Sequence, residues 1–334
     1  MKWWMRVAVS LAIVAGVTSG RTAEAYLKLG TRIGSEIRPL KWNTRPIRYF
    51  IESRDVPTVT ATDLQGAVAR AFKTWSSVPN VDITSEFVGF TTAVPFDMEG
   101  MSVIGFRSRP DLDRTLGATT FTVDTVTGEL VESDVFLNTS FDWSVANTGQ
   151  PGRFDVESIV LHEVGHFLGL SHSALGETEL VEDGRRRVLG KASVMFPIAF
   201  PPGNVRDRVL NADDVSGLSD VYGGTDIGPL GSLGGRVTLN GVGLFGAHVT
   251  ALNIASGDLI GSFSLDDNGS FVVSGLTPGV YVVRAEPLDD ADLSSFFTDT
   301  HTVNVNFRPA YSTRLASVPA GGAAQAVEIK VAPK

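Results

Sequence analysis

Apolar residues recur at helical spacing early in the chain. Leu64, Ala67, Val68, Ala71, Phe72 and Trp75 share one face, and Thr62 or Asp63 can cap the start, so the pattern predicts a helix to about Ser76. Upstream, residues 47–51 (IRYFI) read as the first strand. Residues 81–90 and 101–106 suggest two more. A strand beginning at 117–121 leads through a turn near Thr127-Gly128 into another at 130–137. A second helix follows, with Asp155 as its cap and Glu157 in its first turn, where a carboxylate suits the helix dipole. Val156, Ile159, Val160, Val164 and Phe167, with Leu161, Leu168 and Leu170 nearby, make it apolar on several sides, which predicts a buried helix.

The pattern changes near residue 226. Residues 226–233 carry Gly228, Pro229 and Gly231 and read as a linker. Beyond it come short strand candidates at 235–239, 247–252, 259–263, 270–273, 280–285, 303–307 and 326–331. Turn signals such as Asp266-Asp267-Asn268-Gly269 and Thr277-Pro278-Gly279 separate them. This density of strands predicts an antiparallel β-sandwich over 234–334. A chain of 334 residues has room for two such domains.

Charge and composition narrow the function. The net charge of −9 disfavours nucleic acid and anionic membranes as partners. Residues 1–25 read as a signal peptide: Lys2 and Arg6 precede an apolar run too short to span a bilayer, and Ala23-Glu24-Ala25 offers a cleavage site. The expectation is therefore a secreted or extracellular protein, at the cell surface or in a periplasm, with no stable membrane insertion after cleavage. The absence of cysteine excludes disulfides and a cysteine nucleophile; in a secreted chain it fits a bacterial or archaeal source.

The chemistry lies in the second helix. Residues 162–172 read His-Glu-Val-Gly-His-Phe-Leu-Gly-Leu-Ser-His, so three of the chain's five histidines fall in one short string. Positions four apart sit one above the other on a helix, so His162 and His166 can reach a single ion. Gly169 can end the helix, and His172 can return a third nitrogen from beyond it. Three ligands leave one position of a tetrahedral Zn²⁺ for water, and Glu163 alongside can act as general base. A bare H-E-x-x-H arises by chance on ordinary helices, whereas this string fixes five of its eleven positions. His248 and His301 lie far downstream, and no ligand spacing joins them, so they read as ordinary strand residues.

The extended string resembles that of the metzincin metalloproteases. Ser193-Val194-Met195-Phe196-Pro197 is similar to their methionine turn, with Met195 as the floor beneath the metal. Ser173 after the third histidine, and Phe196-Pro197 after the methionine, look like the matrixin branch. The segment 210–223 resembles the closing helix of a matrixin catalytic domain. The resemblance covers about residues 40–225. It implies a zincin-like α+β catalytic domain over 26–225, with a twisted, mostly parallel sheet, an antiparallel edge strand and three main helices. It further implies one catalytic zinc on His162, His166 and His172, Glu163 as base, a protein or peptide substrate, and substrate contacts at Gly117, Ala118, Phe196 and Pro197. The strand pattern alone fits a plain hairpin at Gly117 and Ala118 equally well. Residues 176–190 look inserted beside the cleft. No histidine precedes His162, so the structural zinc of animal matrixins cannot form in its usual way. Calcium has room among the abundant acids, but no EF-hand string assigns it. The 246–281 region resembles the carboxypeptidase regulatory-like, transthyretin-like fold, an accessory domain.

The leading expectation is thus a secreted zinc metalloendopeptidase. One alternative is a catalytically weak or inactive protein whose β-sandwich binds matrix or cell-surface polymer, although its aromatics Phe245, Phe271, Tyr281, Phe296 and Phe297 read more readily as core. Another is a zinc aminopeptidase, which His172 and Met195 disfavour because such enzymes usually draw their third ligand from a distant glutamate.

Overall fold

The first helix begins two or three residues earlier than the apolar pattern alone suggests. In the computed structural model, which describes residues 28–33, 36–79, 81–97, 100–124, 126–182, 184–223, 230–297 and 302–334, α1 spans Ala61–Ser76 and its cap is Thr60, not Thr62 or Asp63. The Thr60 hydroxyl accepts the Asp63 N–H at 3.1 Å, and the Asp63 carboxylate accepts the Thr60 N–H at 3.0 Å. Asp63 is thus the third helical residue of a reciprocal capping box. The signal-peptide expectation, residues 226–229 of the linker and His301 lie outside the described residues. Among those described, no helix is long and apolar enough to cross a membrane.

Leu64, Ala67, Val68, Ala71, Phe72 and Trp75 of α1 are all buried against the sheet and the second helix. The Trp75 indole N–H donates to the Leu161 carbonyl at 2.8 Å, which satisfies the polar edge of a large ring inside an apolar layer. Strands β3 (Ile47–Glu52), β4 (Ser85–Thr91), β5 (Val103–Arg107), β6 (Gly117–Val123) and β7 (Leu130–Asn138) form one sheet in the order β4-β3-β5-β7-β6. The first four in that order pair in parallel, and β6 is an antiparallel edge strand. Helices α2 (Val156–Phe167) and α3 (Ala212–Tyr222) complete an α+β domain with three main helices.

Residues 47–51 are not the first strand. A hairpin, β1 (Gly30–Ile33) and β2 (Glu36–Pro39), precedes them. Its base lies on the end of α2, where the Leu29 N–H donates to the Gly169 carbonyl at 3.1 Å. Strands this short, GTRI and EIRP, carry no apolar alternation by which a sequence could announce them. The inserted segment forms a second hairpin, Gly176–Leu180 with Arg186–Lys191.

Among the described residues, the C-terminal part holds two five-stranded sheets. One contains Gly231–Leu239, Ser270–Leu276 and Val327–Pro333; the other contains His248–Asn253, Leu259–Phe263 and Gly279–Glu286. Leu233, Val237, Val249, Phe271, Tyr281, Val283 and Ile329 from both sheets belong to one buried cluster. The pairing is not wholly antiparallel, because Val327–Pro333 runs parallel to Gly231–Leu239. A last strand arriving by a long connection is free to do so, unlike one returning by a tight turn. Of the strand expected at 303–307, only Phe307–Arg308 forms. A third cluster joins the two parts: Ala174, Val188 and Phe196 pack with Phe245, Phe263, Leu288, Ala291, Phe296 and Phe297.

Candidate metal centre

Helix α2 is pinned at both ends. Its N-cap Asp155 accepts the Ser158 N–H at 2.9 Å and is gripped by the Arg208 guanidinium, with contacts at 2.6 and 2.8 Å. At the other end Gly169 takes φ +93°, and a β-carbon there would lie 2.1 Å from the Leu40 carbonyl oxygen. Only glycine fits this exit. The turn delivers His172 next to the two helical histidines.

The three imidazoles face one point. His166 Nε2 is 3.1 Å from His162 Nε2 and 3.2 Å from His172 Nε2. Three nitrogens bound to one tetrahedral zinc at ordinary bond lengths lie about 3.3 Å apart, so the spacing fits a shared ion. The opposite ring nitrogens set the tautomer. Each Nδ1 lies 2.8 Å from a backbone carbonyl, Val194 for His162, Leu170 for His166 and Ser295 for His172. A carbonyl only accepts, so each Nδ1 carries the proton and each Nε2 presents a lone pair to the common centre. Burial, with repulsion from the neighbouring imidazoles, holds His162 well below its ordinary pKa. Burial likewise lowers His166 to about 3 and His172 to about 4. Neutral imidazoles with converging lone pairs are the ligand form a zinc ion requires, and the trio fits a zinc site.

Glu163 follows the first of these histidines on α2 and is buried. Burial pushes its pKa up to about 7, and a hydrogen bond from Thr119 works in the opposite direction. The Thr119 hydroxyl donates to Glu163 Oε2 at 2.6 Å. Gly117 lies on the same face of β6, and a β-carbon on it would come within 3.0 Å of Glu163 Oε1. Strand alternation turns Ala118 to the other face. The structure therefore brings Gly117 and Thr119, but not Ala118, to the carboxylate. Thr119 escaped the sequence reading, although the two-residue period counted from Gly117 points to it.

Met195 is fully buried, and its carbonyl accepts the Ser173 N–H at 3.0 Å. A β-carbon on Gly165 would lie 2.3 Å from its sulfur, so the glycine inside the histidine string leaves room for this floor. The turn is tied to α3 through Asp214, whose carboxylate accepts from the Ser193 hydroxyl at 2.6 Å, the Val194 N–H at 2.9 Å and the Asn211 N–H at 2.8 Å. Val194 in turn supplies the carbonyl that orients His162. Asp213 accepts from the Ser173 hydroxyl at 2.6 Å and the Gly261 N–H at 2.8 Å. Both aspartates lie within the 210–223 segment, whose pattern offers no separate role for them. Phe196 is buried, with Gly176 against its ring, in the cluster that joins the two parts; Pro197 is half-buried. His248 is buried in its strand, 3.2 Å from Glu286 and away from the trio.

Residues 41–182 match the family model for Matrixin (Peptidase_M10). Metalloendoproteinase 1-MMP of Arabidopsis thaliana is 29% identical over 192 residues, covering 55% of this chain and 44% of that protein. Metalloendoproteinase 1 of Glycine max is 28% identical over 176 residues, 48% of this chain and 45% of its own. Interstitial collagenase of Equus caballus is 24% identical over 183 residues, 55% of this chain and 33% of its own. The chain thus spans less than half the length of these curated relatives. A solved structure, the Bacillus anthracis TIE protein, aligns over 31% of this chain and 17% of its own at 18% identity and a TM-score of 0.22, too slight a likeness to inform the fold. The family match and the metalloendoproteinase relatives support a matrixin-like catalytic domain and a zinc metalloprotease.

Proposed function

We propose that this protein is a secreted zinc-dependent endopeptidase that cuts internal peptide bonds, with its C-terminal part a transthyretin-like β-sandwich. One observation carries the reading: three neutral imidazoles, each locked by a carbonyl behind it, aim their free lone pairs at one point beside a buried carboxylate. His162, His166 and His172 would hold the ion, which when bound would acidify a water and polarise the scissile carbonyl. Glu163 takes the proton from the attacking water and returns it to the leaving amine. Its high pKa suits it to both tasks, because it can hold and release a proton near neutrality. Thr119 keeps the carboxylate turned toward the centre. Gly117 leaves the approach clear, and β6, an exposed sheet edge, can receive substrate as an added extended strand. Met195 supports the trio from below. Phe196, expected as a substrate contact, is instead buried in the joining cluster, because its ring packs against Gly176 and the C-terminal aromatics, and it offers no surface to substrate.

The test is zinc analysis of the purified protein together with peptide-library cleavage, with and without a chelator. About one zinc per chain and chelator-sensitive internal cleavage are expected. Glu163→Gln should keep the metal and lose about 10²-fold or more in kcat. Undiminished cleavage by that variant, or products released only from peptide ends, would overturn the reading.

A further inference from the structure

We propose that the C-terminal part is not an appendage but supplies the positioning group for the third metal ligand, the main-chain carbonyl of Ser295. This inference rests on the reading of the trio as a zinc site. Two of the three orienting carbonyls, Val194 and Leu170, come from the domain that carries the histidines. The third comes from 123 residues beyond His172. Ser295 closes a short 3-10 turn, Leu293–Ser295. Within it the Leu293 carbonyl takes the N–H groups of Phe296 and Phe297 at 3.0 and 2.9 Å, which leaves the Ser295 carbonyl for His172.

The turn is held as a support must be. Phe296 and Phe297 follow Ser295 directly, are buried, and pack on Phe263 with ring centroids 5.7 and 5.5 Å away. On the catalytic side, Asp290 clamps the inserted hairpin: its carboxylate accepts the Thr178 N–H at 2.6 Å and its carbonyl accepts the Thr178 hydroxyl at 2.7 Å. A second, independent link reaches the residue next to His172. Asp213 bridges the Ser173 hydroxyl to the Gly261 N–H in the strand Leu259–Phe263. Two separate elements of the C-terminal part thus converge on His172-Ser173, whereas the carbonyls behind His162 and His166 belong to Val194 and Leu170. Groups behind a metal-bound histidine set its ring orientation and basicity, and losing one commonly weakens metal binding by about 10–100-fold.

The carbonyl cannot be deleted by substitution, so the test loosens the turn in the full-length protein. Zinc affinity is measured by competition with a chelator, and the imidazole N–H resonances are followed by NMR. Phe296→Ala should weaken zinc binding by about 10-fold or more and shift the His172 Nδ1–H signal while leaving those of His162 and His166 in place. Phe296→Leu should restore most of the affinity. Asp290→Ala, which releases the clamp but keeps the aromatic anchors, should give a smaller loss in the same direction. Val331→Ala, which thins the C-terminal core outside the joining cluster, controls for general loosening. Wild-type affinity in both Phe296→Ala and Asp290→Ala overturns this inference and leaves the peptidase reading intact. So does an equal loss in Val331→Ala. A wild-type chain that takes up no zinc overturns both.

Discussion

Replacing Thr119 with valine removes one hydroxyl and little volume. That hydroxyl is a buried donor 2.6 Å from Glu163 Oε2, with the Glu163 carbonyl oxygen 3.2 Å away as a second acceptor. When Glu163 is ionised the hydroxyl stabilises the charge; when it is protonated the hydroxyl can turn to the carbonyl. The variant therefore penalises the ionised form. A hydrogen bond to a charged group contributes about 1.5–3 kcal/mol, and each pKa unit corresponds to about 1.4 kcal/mol. The Glu163 pKa, already raised by burial, should climb by roughly one to two units more. A bound cation lowers it in both proteins alike, so the difference survives. On the proposed reading the ionised carboxylate is the base, so the acid limb of kcat/KM should move to higher pH. Below the limb the variant should be about 10–100-fold slower, and above it the two profiles should converge. The assay is cleavage of a quenched fluorescent peptide from about pH 5 to about pH 9, with Thr119→Ser expected to restore the wild-type limb. A uniform loss of rate with the acid limb unmoved would refute the reasoning and leave Thr119 a packing residue.

Two stability predictions follow from the same geometry. Gly165→Ala should gain about 1 kcal/mol of helix propensity. It should lose more, about 1–3 kcal/mol, because its β-carbon would meet the Met195 sulfur at 2.3 Å and Trp75 at 2.9 Å; urea denaturation showing a net gain would contradict the close packing. Burial, reinforced by the charge of Asp214, pushes the Asp213 carboxyl up to about 7. The folded chain thus keeps a proton that the unfolded chain releases near pH 4, so this group's contribution to stability should fall as pH rises from about 4 to about 7. Asp213→Asn, which still offers an acceptor to Gly261 and lets the Ser173 hydroxyl reverse, should flatten that slope in denaturation curves taken across the window; an unchanged slope would count against it.

Much of the catalytic domain could be read from residue order, because its signals are local. Helical spacing marked α1 and α2, and alternation marked β6 and β7. The histidine string placed its ligands within eleven consecutive positions, where helix geometry alone brings two of them together. Elements without such a signal were missed. The β1–β2 hairpin is too short and polar to show a period, whereas Thr60 was legible, since Thr60-Ala61-Thr62-Asp63 has the T-x-x-D spacing of a capping box. Thr119 was within reach of the strand period; the interest in Ala118 looked one residue off the face that meets Glu163.

Residue order by itself carried the candidate chemistry: which imidazoles can share a divalent ion, which acid follows the first of them, and where the chain must bend at Gly169. It could do so because covalent spacing and the helical repeat control distances across a few residues. Tertiary structure alone decided what holds those atoms still. The Val194 carbonyl behind His162, the Asp214 brace under the methionine turn and above all the Ser295 carbonyl behind His172 join positions tens to more than a hundred residues apart. Backbone carbonyls are the same at every residue, so no side-chain pattern reveals which of them packing will bring to an imidazole.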